Sequence, residues 1–384
     1  MLIFCGIFLI SLIVPFLFKL KFKRRVTFLE WGACSLGAML ISFGVFKLGS
    51  FGALQDTEVW NGHVTSLQTV KKDCQYPGWY DYSDSFCTNE NTREVYSHTE
   101  YYECGTTKSP QTCSRDVYDT EYSYDYPWEK KYYVNSTLKQ FMIRRVDDRG
   151  AKVPPRYTST QVGDPVSITK SYTNYLKAAD MSILNPQNIA VSEQELALVP
   201  SYPIGIYDYY KINRFVQVGS KIPAAEVAKW NSGISEVAKV VGPVKQANPV
   251  IVVTDQPQYI RYAIERKWNG GKKNDIIVLI GVDGDKVEWV DVITFLSNTG
   301  NEFMTRQLQT MITEVGTLDR DAILNITQKT IIEKFDRKPM QSVEYLKDEF
   351  EPPLWVKITA LLCSLILSII FSIIATRNYI MEKR

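Results

Sequence analysis

The carboxylates that could hold a metal ion lie around a short turn in the second half of the chain. Asp275 begins a run of apolar residues, and Asp283 and Asp285 flank the glycine where that run ends. Clustered carboxylates suit hard cations such as calcium or magnesium. Asp275 and Asp283 mark opposite ends of one predicted strand, about 25 Å apart, so only Asp283 and Asp285 could share an ion. The alternative is that both are turn residues, because a tight hairpin favours Asp-Gly.

Any catalysis that uses a histidine would have to involve the first half of the chain. The chain has two histidines, His63 and His98. The second half therefore offers no candidate for Ser-His-Asp or Cys-His catalysis. Residues 270–273 lack the spaced glycines and the hydroxyl of a phosphate-binding loop. These observations favour a binding protein without a cofactor. The rival hypothesis is a metal-dependent hydrolase of phosphate esters that uses the two turn aspartates.

Four of the seven cysteines fall within one stretch of the first half, at Cys74, Cys87, Cys104 and Cys113. An even number of clustered cysteines is typical of disulfides formed in an oxidising compartment. A zinc site is the alternative, but zinc ligands usually come in closely spaced pairs. The gaps here are twelve, sixteen and eight residues. We therefore expect two disulfides, with three pairings open.

Tyrosine is concentrated in the same region, where twelve of the twenty-three tyrosines lie between Tyr76 and Tyr133. Tyrosine and tryptophan are enriched at protein interfaces. The aromatic residues proposed to bind a partner are Tyr101, Tyr102, Tyr122, Tyr124, Tyr126 and Trp128. The alternative is that they cover a small disulfide-stapled β module whose core is poor in aliphatic side chains.

Three apolar runs predict transmembrane helices at residues 1–19, 30–49 and 353–376. A helix needs about 20 largely apolar residues to cross a bilayer. The first run has no preceding basic residue and ends in Phe-Leu-Phe, which is no cleavage site, so we expect a retained helix rather than a signal peptide. Small residues four apart on the second run favour packing against another helix of the same chain, with a second copy as the alternative.

Basic residues set the predicted orientation of the chain in the membrane. They cluster in the loop at residues 20–29 and in the tail at residues 377–384. Lysine and arginine near membrane ends favour the cytoplasm. Residues 50–352 are therefore predicted on the periplasmic side of the inner membrane of a bacterium or phage-infected host. The net charge of +2 gives no reason to expect nucleic acid as a partner. The predicted partners are the lipid bilayer and either another envelope protein or a second copy.

The large segment between the second and third runs divides into two parts. Residues 50–205 hold short alternating stretches that suit half-buried strands. Residues 206–345 alternate predicted strands and helices, which implies a small sheet with helices packed on it. One predicted helix begins at Pro223 and ends near Val241, where Gly-Pro follows.

The second part resembles the TPM domain family. The residues that carry the resemblance are Val250–Val253, Tyr262, Ala263, Trp268, Gly270–Ile280 and Asp283–Val287. Family members similarly run from a strand through a "YA" helix, a tryptophan and a glycine pair to a hydrophobic strand, an acidic turn and another strand. The resemblance implies an extracytoplasmic domain tethered by a membrane helix, and some relatives are implicated in metal binding or phosphate-ester hydrolysis. Residues 289–292, Trp-Val-Asp-Val, stand where the family has a glycine-rich stretch.

The layout of the whole chain resembles uncharacterised membrane proteins of tailed bacteriophages. The sequence thus predicts a membrane-anchored α+β protein with three transmembrane helices, a disulfide-stapled β-rich module and a TPM-like α/β domain. The leading functional hypothesis is a membrane-tethered binding or assembly protein of the cell envelope.

Overall fold

The computed structural model describes residues 2–22, 26–74, 78–81, 83, 85–87, 90–106, 109–125, 128–143, 153–178, 185–203, 213–295 and 300–382. Within them the protein is a mixed α+β structure. The helices are α1 (Leu2–Lys21), α2 (Phe28–Ala53), α3 (Pro155–Ser159), α4 (Glu193–Leu198), α5 (Ala224–Lys245), α6 (Ile260–Lys267), α7 (Glu302–Val315), α8 (Arg320–Lys334) and α9 (Leu354–Glu382). The strands are β1 (Gln55–Asp73), β2 (Glu90–Thr106), β3 (Ser109–Tyr124), β4 (Trp128–Ser136), β5 (Gln140–Ile143), β6 (Pro165–Thr173), β7 (Phe215–Val218), β8 (Asn248–Thr254), β9 (Asp275–Asp283) and β10 (Lys286–Thr294). Single 3₁₀ segments span Tyr175–Ala178, Pro186–Asn188 and Met340–Glu349.

Helices α1, α2 and α9 are long and apolar enough to cross a membrane, and they pack against one another. Small residues let them approach closely. A β-carbon added at Gly37 of α2 would lie 3.2 Å from the ring of Phe371 on α9. The hydroxyls of Ser11 and Ser364 share a buried hydrogen bond of 2.9 Å between α1 and α9. The small face of α2 thus packs within the chain.

Contacts along the three helices fix their relative directions. Gly49 of α2 lies against Val356 near the start of α9, whereas Gly37 lies against Phe371 further along it. Helix α2 therefore runs antiparallel to α9. Gly6 lies against Leu361, and Ser11 contacts Ser364, so α1 and α9 run in the same direction. The loop that follows α1 and the end of α9 consequently lie at one end of the bundle, and the long central segment leaves from the other.

The β-rich module is built on β1, which has 19 residues and pairs with two different strands. Its first half pairs antiparallel with β6, and its second half pairs antiparallel with β4. The resulting four-stranded sheet has the order β5-β4-β1-β6. Its core is small and consists of seven buried side chains, Val64, Tyr132, Val134, Phe141, Ile143, Val166 and Ile168.

The α/β domain contains a second four-stranded sheet with the order β10-β9-β8-β7. Strands β7, β8 and β9 are parallel, and β10 returns antiparallel after the predicted Asp-Gly turn. Apolar residues of α5, α7 and α8 pack on one face of the sheet, and those of α6 pack on the other. Residues 191–202, which the sequence analysis assigned to the β-rich module, also pack their apolar side chains on this second face.

Helix α5 continues to Lys245 instead of ending near Val241 as predicted. Proline at position 243 removes only the backbone donor that would reach the carbonyl of Lys239. Gly242 packs closely against the backbone of Asn61 on β1. This contact supports the last turn of the helix. The helix ends at Gln246, which adopts a left-handed conformation with φ of 55° and donates its N–H to the carbonyl of Gly242.

Candidate binding surface

Strands β2 and β3 form a long two-stranded ribbon, which we call the arm. Their register runs from the pair Glu90 and Tyr124 to the pair Thr106 and Ser109. At about 3.4 Å per residue, strands of this length extend about 55 Å. Three residues separate β3 from β4, and the ladder between β1 and β4 ends at the pair Asp73 and Trp128. The hydrophobic core clusters of the described residues contain no residue of β2 or β3.

Two disulfides stabilise a ribbon that has no hydrophobic core of its own. Isolated two-stranded ribbons are marginally stable in water. Cys74 pairs with Cys87 at the base of the arm, with Cα atoms 6.0 Å apart. Cys104 pairs with Cys113 near the tip, with Cα atoms 5.7 Å apart, and joins β2 to β3. The structure thus pairs the four clustered cysteines consecutively, one of the three pairings that the sequence left open.

A β-bulge in the arm gathers tyrosines on one face. The register shifts between Tyr96 and His98, so one extra residue is inserted in β2. Because side chains alternate along a strand, this insertion brings Tyr101 to the face that already carries Tyr96. We call this side the tyrosine face; its tyrosines are Tyr96, Tyr101, Tyr118, Tyr122 and Tyr124. The side chains of Tyr96 and Tyr118 are each 54% exposed, and that of Tyr101 is 75% exposed.

The tyrosine face is also acidic. The cross-strand register places Glu90, Glu94, Glu103 and Asp116 on it, and all four are exposed. No lysine, arginine or histidine of the described arm lies on this face. Asp116 accepts a hydrogen bond of 2.9 Å from the hydroxyl of Thr99. Within the described part of the chain, none of the four carboxylates forms an ion pair.

The opposite face of the arm pairs its arginines with glutamates. Arg93 pairs with Glu121 at 2.8 Å, and Arg115 pairs with Glu100 at 2.6 Å, each across the two strands. The hydrogen bond and charge of Arg115 lower the pKa of Glu100. The guanidinium of Arg93 also stacks over the ring of Trp79, 4.5 Å from its centroid. Cross-strand ion pairs of this kind stabilise a ribbon.

The aromatic residues proposed as a binding surface are divided between several positions. Tyr101, Tyr122 and Tyr124 lie on the tyrosine face, whereas Tyr102 lies on the opposite face beside the tip disulfide. Tyr126 lies outside the described residues. Trp128 begins β4 at the base of the arm, and the ammonium groups of Lys71 and Lys130 lie 5.0 and 5.4 Å from its ring. Tyr96 and Tyr118 were missed because the composition of a face depends on register and on the bulge.

The predicted metal ligands lie at the carboxyl edge of the α/β sheet. Asp283 ends β9 and Asp285 follows in the turn, both exposed. Asp285 lines a cleft of about 570 Å³ together with Asp255 and Trp230. Among the residues that the structure describes, no three histidine, cysteine or acidic side chains are grouped so that they could hold a metal ion. The metal site stays a prediction.

Asp275 lies at the other end of β9 and belongs to a buried polar network. It accepts hydrogen bonds from the hydroxyl of Tyr202 at 2.7 Å and from the amide side chain of Asn248 at 2.8 Å. Asn248 in turn accepts from the guanidinium of Arg214, which is fully buried. Burial raises the pKa of Asp275 to about 6 and lowers that of Arg214 to about 10.

The same network joins the α/β domain to the β-rich module. Arg214 donates to Asn61 on β1 at 2.5 Å and to Ser167 on β6 at 2.7 Å. Two ion pairs surround it, between Arg337 and Glu58 at 2.5 Å and between Lys272 and Asp56 at 2.8 Å. Sequence patterns gave no sign of these contacts, because the partners lie 47 to 279 residues apart in the chain.

Comparisons with known protein families, with curated proteins and with solved structures find no match to this chain.

Proposed function

We propose that this protein is a membrane-anchored, extracytoplasmic binding or assembly protein of the cell envelope, and that the arm is its recognition element. The observation that carries this proposal is the tyrosine face, an exposed surface that is both acidic and aromatic. In its described residues, the arm has no hydrophobic core that these rings would otherwise shield from water. Aromatic side chains that are held rigidly and exposed are typical of binding surfaces. The β-rich module carries the arm, and the α/β domain, TPM-like in this proposal, is the rigid base against which that module packs.

Three features support a membrane anchor with the central segment outside the cell. Helices α1, α2 and α9 have the length and hydropathy of membrane spans. Lys19 and Lys21 near the end of α1 lie at the same end of the bundle as Arg377 near the end of α9. Basic residues at one end favour a cytoplasmic location for that end. The two disulfides also fit an oxidising compartment at the opposite end.

The orientation is tested by labelling cysteines from outside intact cells. We replace Lys21 with Cys for the basic end and Glu314 with Cys for the α/β domain, each in a chain whose three unpaired cysteines are changed to alanine. A membrane-impermeant maleimide should label E314C in intact cells and K21C only after permeabilisation. The reverse pattern, or equal labelling of both, would contradict the proposed orientation.

The binding role is tested by affinity isolation of the full chain from native membranes. The double variant Y101A/Y118A removes two exposed rings from the tyrosine face. The matched control Y259A/Y345A removes two exposed tyrosines outside the arm, which are 53% and 61% exposed. We expect partner recovery to fall at least tenfold for the arm variant and to stay unchanged for the control. Equal recovery by both variants would exclude the arm as the recognition element.

A further inference from the structure

The two faces of the arm differ in how their charges are balanced. The opposite face pairs both of its arginines with glutamates across the strands. Among the residues that the structure describes, the tyrosine face has four carboxylates and no cation. Exposed tyrosine rings and unpaired carboxylates both attract ammonium and guanidinium groups, the rings through their negative faces. The chemistry of the tyrosine face therefore selects a basic surface as its partner.

Two adjacent lysines lie at the base of the arm, on a face that also includes the exposed Asp73. Lys71 and Lys130 are cross-strand partners and both lie over the ring of Trp128. Neither lysine forms an ion pair with any described residue. We call Lys71, Trp128 and Lys130 the lysine patch. Their ammonium groups are held in place by the ring and are available to carboxylates of another surface.

The outer half of the tyrosine face lies far from the lysine patch of its own chain. Asp116 lies eight residues along β3 from Tyr124, which begins the arm. At about 3.4 Å per residue, this separation is about 27 Å along the ribbon. The two paired strands hold the base and the outer half of the arm apart, so a contact between the lysine patch and Asp116 requires a second molecule.

We propose that the tyrosine face binds the lysine patch of a second copy of this chain. Two arms lying side by side in opposite directions would bring each acidic face against the lysine patch of the other. Such a contact is the same on both copies and closes with twofold symmetry. Lysines of one copy then meet Glu94 and Asp116 of its partner and stack on exposed tyrosines. This proposal names the partner within the proposed binding function and therefore rests on it.

Charge reversal on each surface provides the test. The arm variant E94K/D116K and the patch variant K71E/K130E each place like charges across the proposed contact. The control variant E314K/E333K makes the same change in net charge as the arm variant, at exposed positions of α7 and α8. Self-association of the full chain is measured by energy transfer between donor- and acceptor-labelled copies in vesicles of zwitterionic lipid.

We expect each reversed variant alone to associate at least tenfold more weakly than the unmodified chain, because like charges at an interface disfavour binding. The control should associate as strongly as the unmodified chain does. High salt should weaken the association of both chains, because it screens the charges at the proposed contact. Mixing the arm variant with the patch variant should restore energy transfer, because each reversed surface then meets one of opposite charge. Recovery on mixing also shows that both variants are folded.

Three results would overturn the proposal: no energy transfer for the unmodified chain, unchanged transfer for both reversed variants, or no recovery on mixing. The wider binding function is tested by a different result. If copies fail to associate while Y101A/Y118A still abolishes recovery of an envelope protein, the arm binds a different basic partner. If both experiments fail, the binding function itself is excluded.

Discussion

Gly242 on helix α5 lies so close to Asn61 on strand β1 that no side chain fits between them. A β-carbon added to Gly242 would lie 2.5 Å from the carbonyl oxygen of Asn61. Atoms this close must move apart, and backbone atoms of a paired strand have little freedom to do so. This contact lies at the junction of the α/β domain and the β-rich module, beside the buried guanidinium of Arg214.

Replacing Gly242 with alanine should therefore destabilise the folded protein. We expect G242A to lower the free energy of unfolding by about 1–2 kcal/mol, since overpacking against backbone, at about 2–3 kcal/mol, outweighs the gain of about 1 kcal/mol in helix propensity. The matched control is G233A in the same helix, whose added carbon meets only the flexible end of Leu324. Urea unfolding of the full chain in detergent, followed by tryptophan fluorescence, measures both variants. Equal stability of G242A and G233A would contradict the close junction.

The buried carboxyl of Asp275 predicts an unusual dependence of stability on pH. Burial raises its pKa from 3.8 to about 6 in the folded protein. Between these values the folded state holds a proton that the unfolded state has released, so stability from this group is largest below pH 4 and is lost as pH rises through 6. The shift corresponds to about 3 kcal/mol between pH 4 and pH 7.

The variant D275N removes this titration while keeping a side chain of the same size. We expect the difference in unfolding free energy between the unmodified chain and D275N to change by about 2–3 kcal/mol between pH 4 and pH 7, with D275N gaining relative stability at pH 7. Comparing the two chains at each pH cancels the contribution of the other carboxylates. A difference that stays constant across this range would show that Asp275 does not titrate there.

The tip disulfide should stabilise the arm without affecting the rest of the molecule. Cys104 and Cys113 are nine residues apart, and closing a loop of this size contributes about 2–3 kcal/mol in the chain-entropy model. The variant C104S/C113S should therefore exchange its arm amides much faster while the sheet of the α/β domain keeps its protection. Hydrogen exchange by mass spectrometry separates the two regions. A general loss of protection would mean that the arm contributes to the core.

The regular elements of the α/β domain were predictable because their signals are local. Apolar runs bounded by turn residues predicted β9 and β10, and the Asp-Gly pair predicted the hairpin between them. In that hairpin Gly284 adopts a positive φ of 61°. The continuation of α5 was missed because its last turn depends on the contact with Asn61. Periodicity cannot report such a contact, since the partner is distant in the chain.

The arm shows a similar limit. Its cysteines and tyrosines were evident from composition, but their arrangement depends on which residues of β2 and β3 oppose each other. The single extra residue at the bulge decides that Tyr101, rather than Tyr102, joins Tyr96. Arg214 was missed for another reason: a buried arginine is stabilised by partners on three strands, and no local pattern identifies them.

Asp283 and Asp285 allow a direct decision between the binding protein and the rival metal-dependent hydrolase. Both side chains are exposed, and turn geometry alone accounts for their positions. Calcium takes six to eight oxygen ligands, so two aspartates of one turn would hold it weakly at best. We expect millimolar calcium or magnesium to leave the melting temperature of the full chain unchanged, and D283N/D285N to behave identically. The variant D255N, on the same cleft, serves as the control. A metal-dependent rise in melting temperature that D283N/D285N abolishes and D255N retains would establish a metal site at the turn and revive the hydrolase hypothesis.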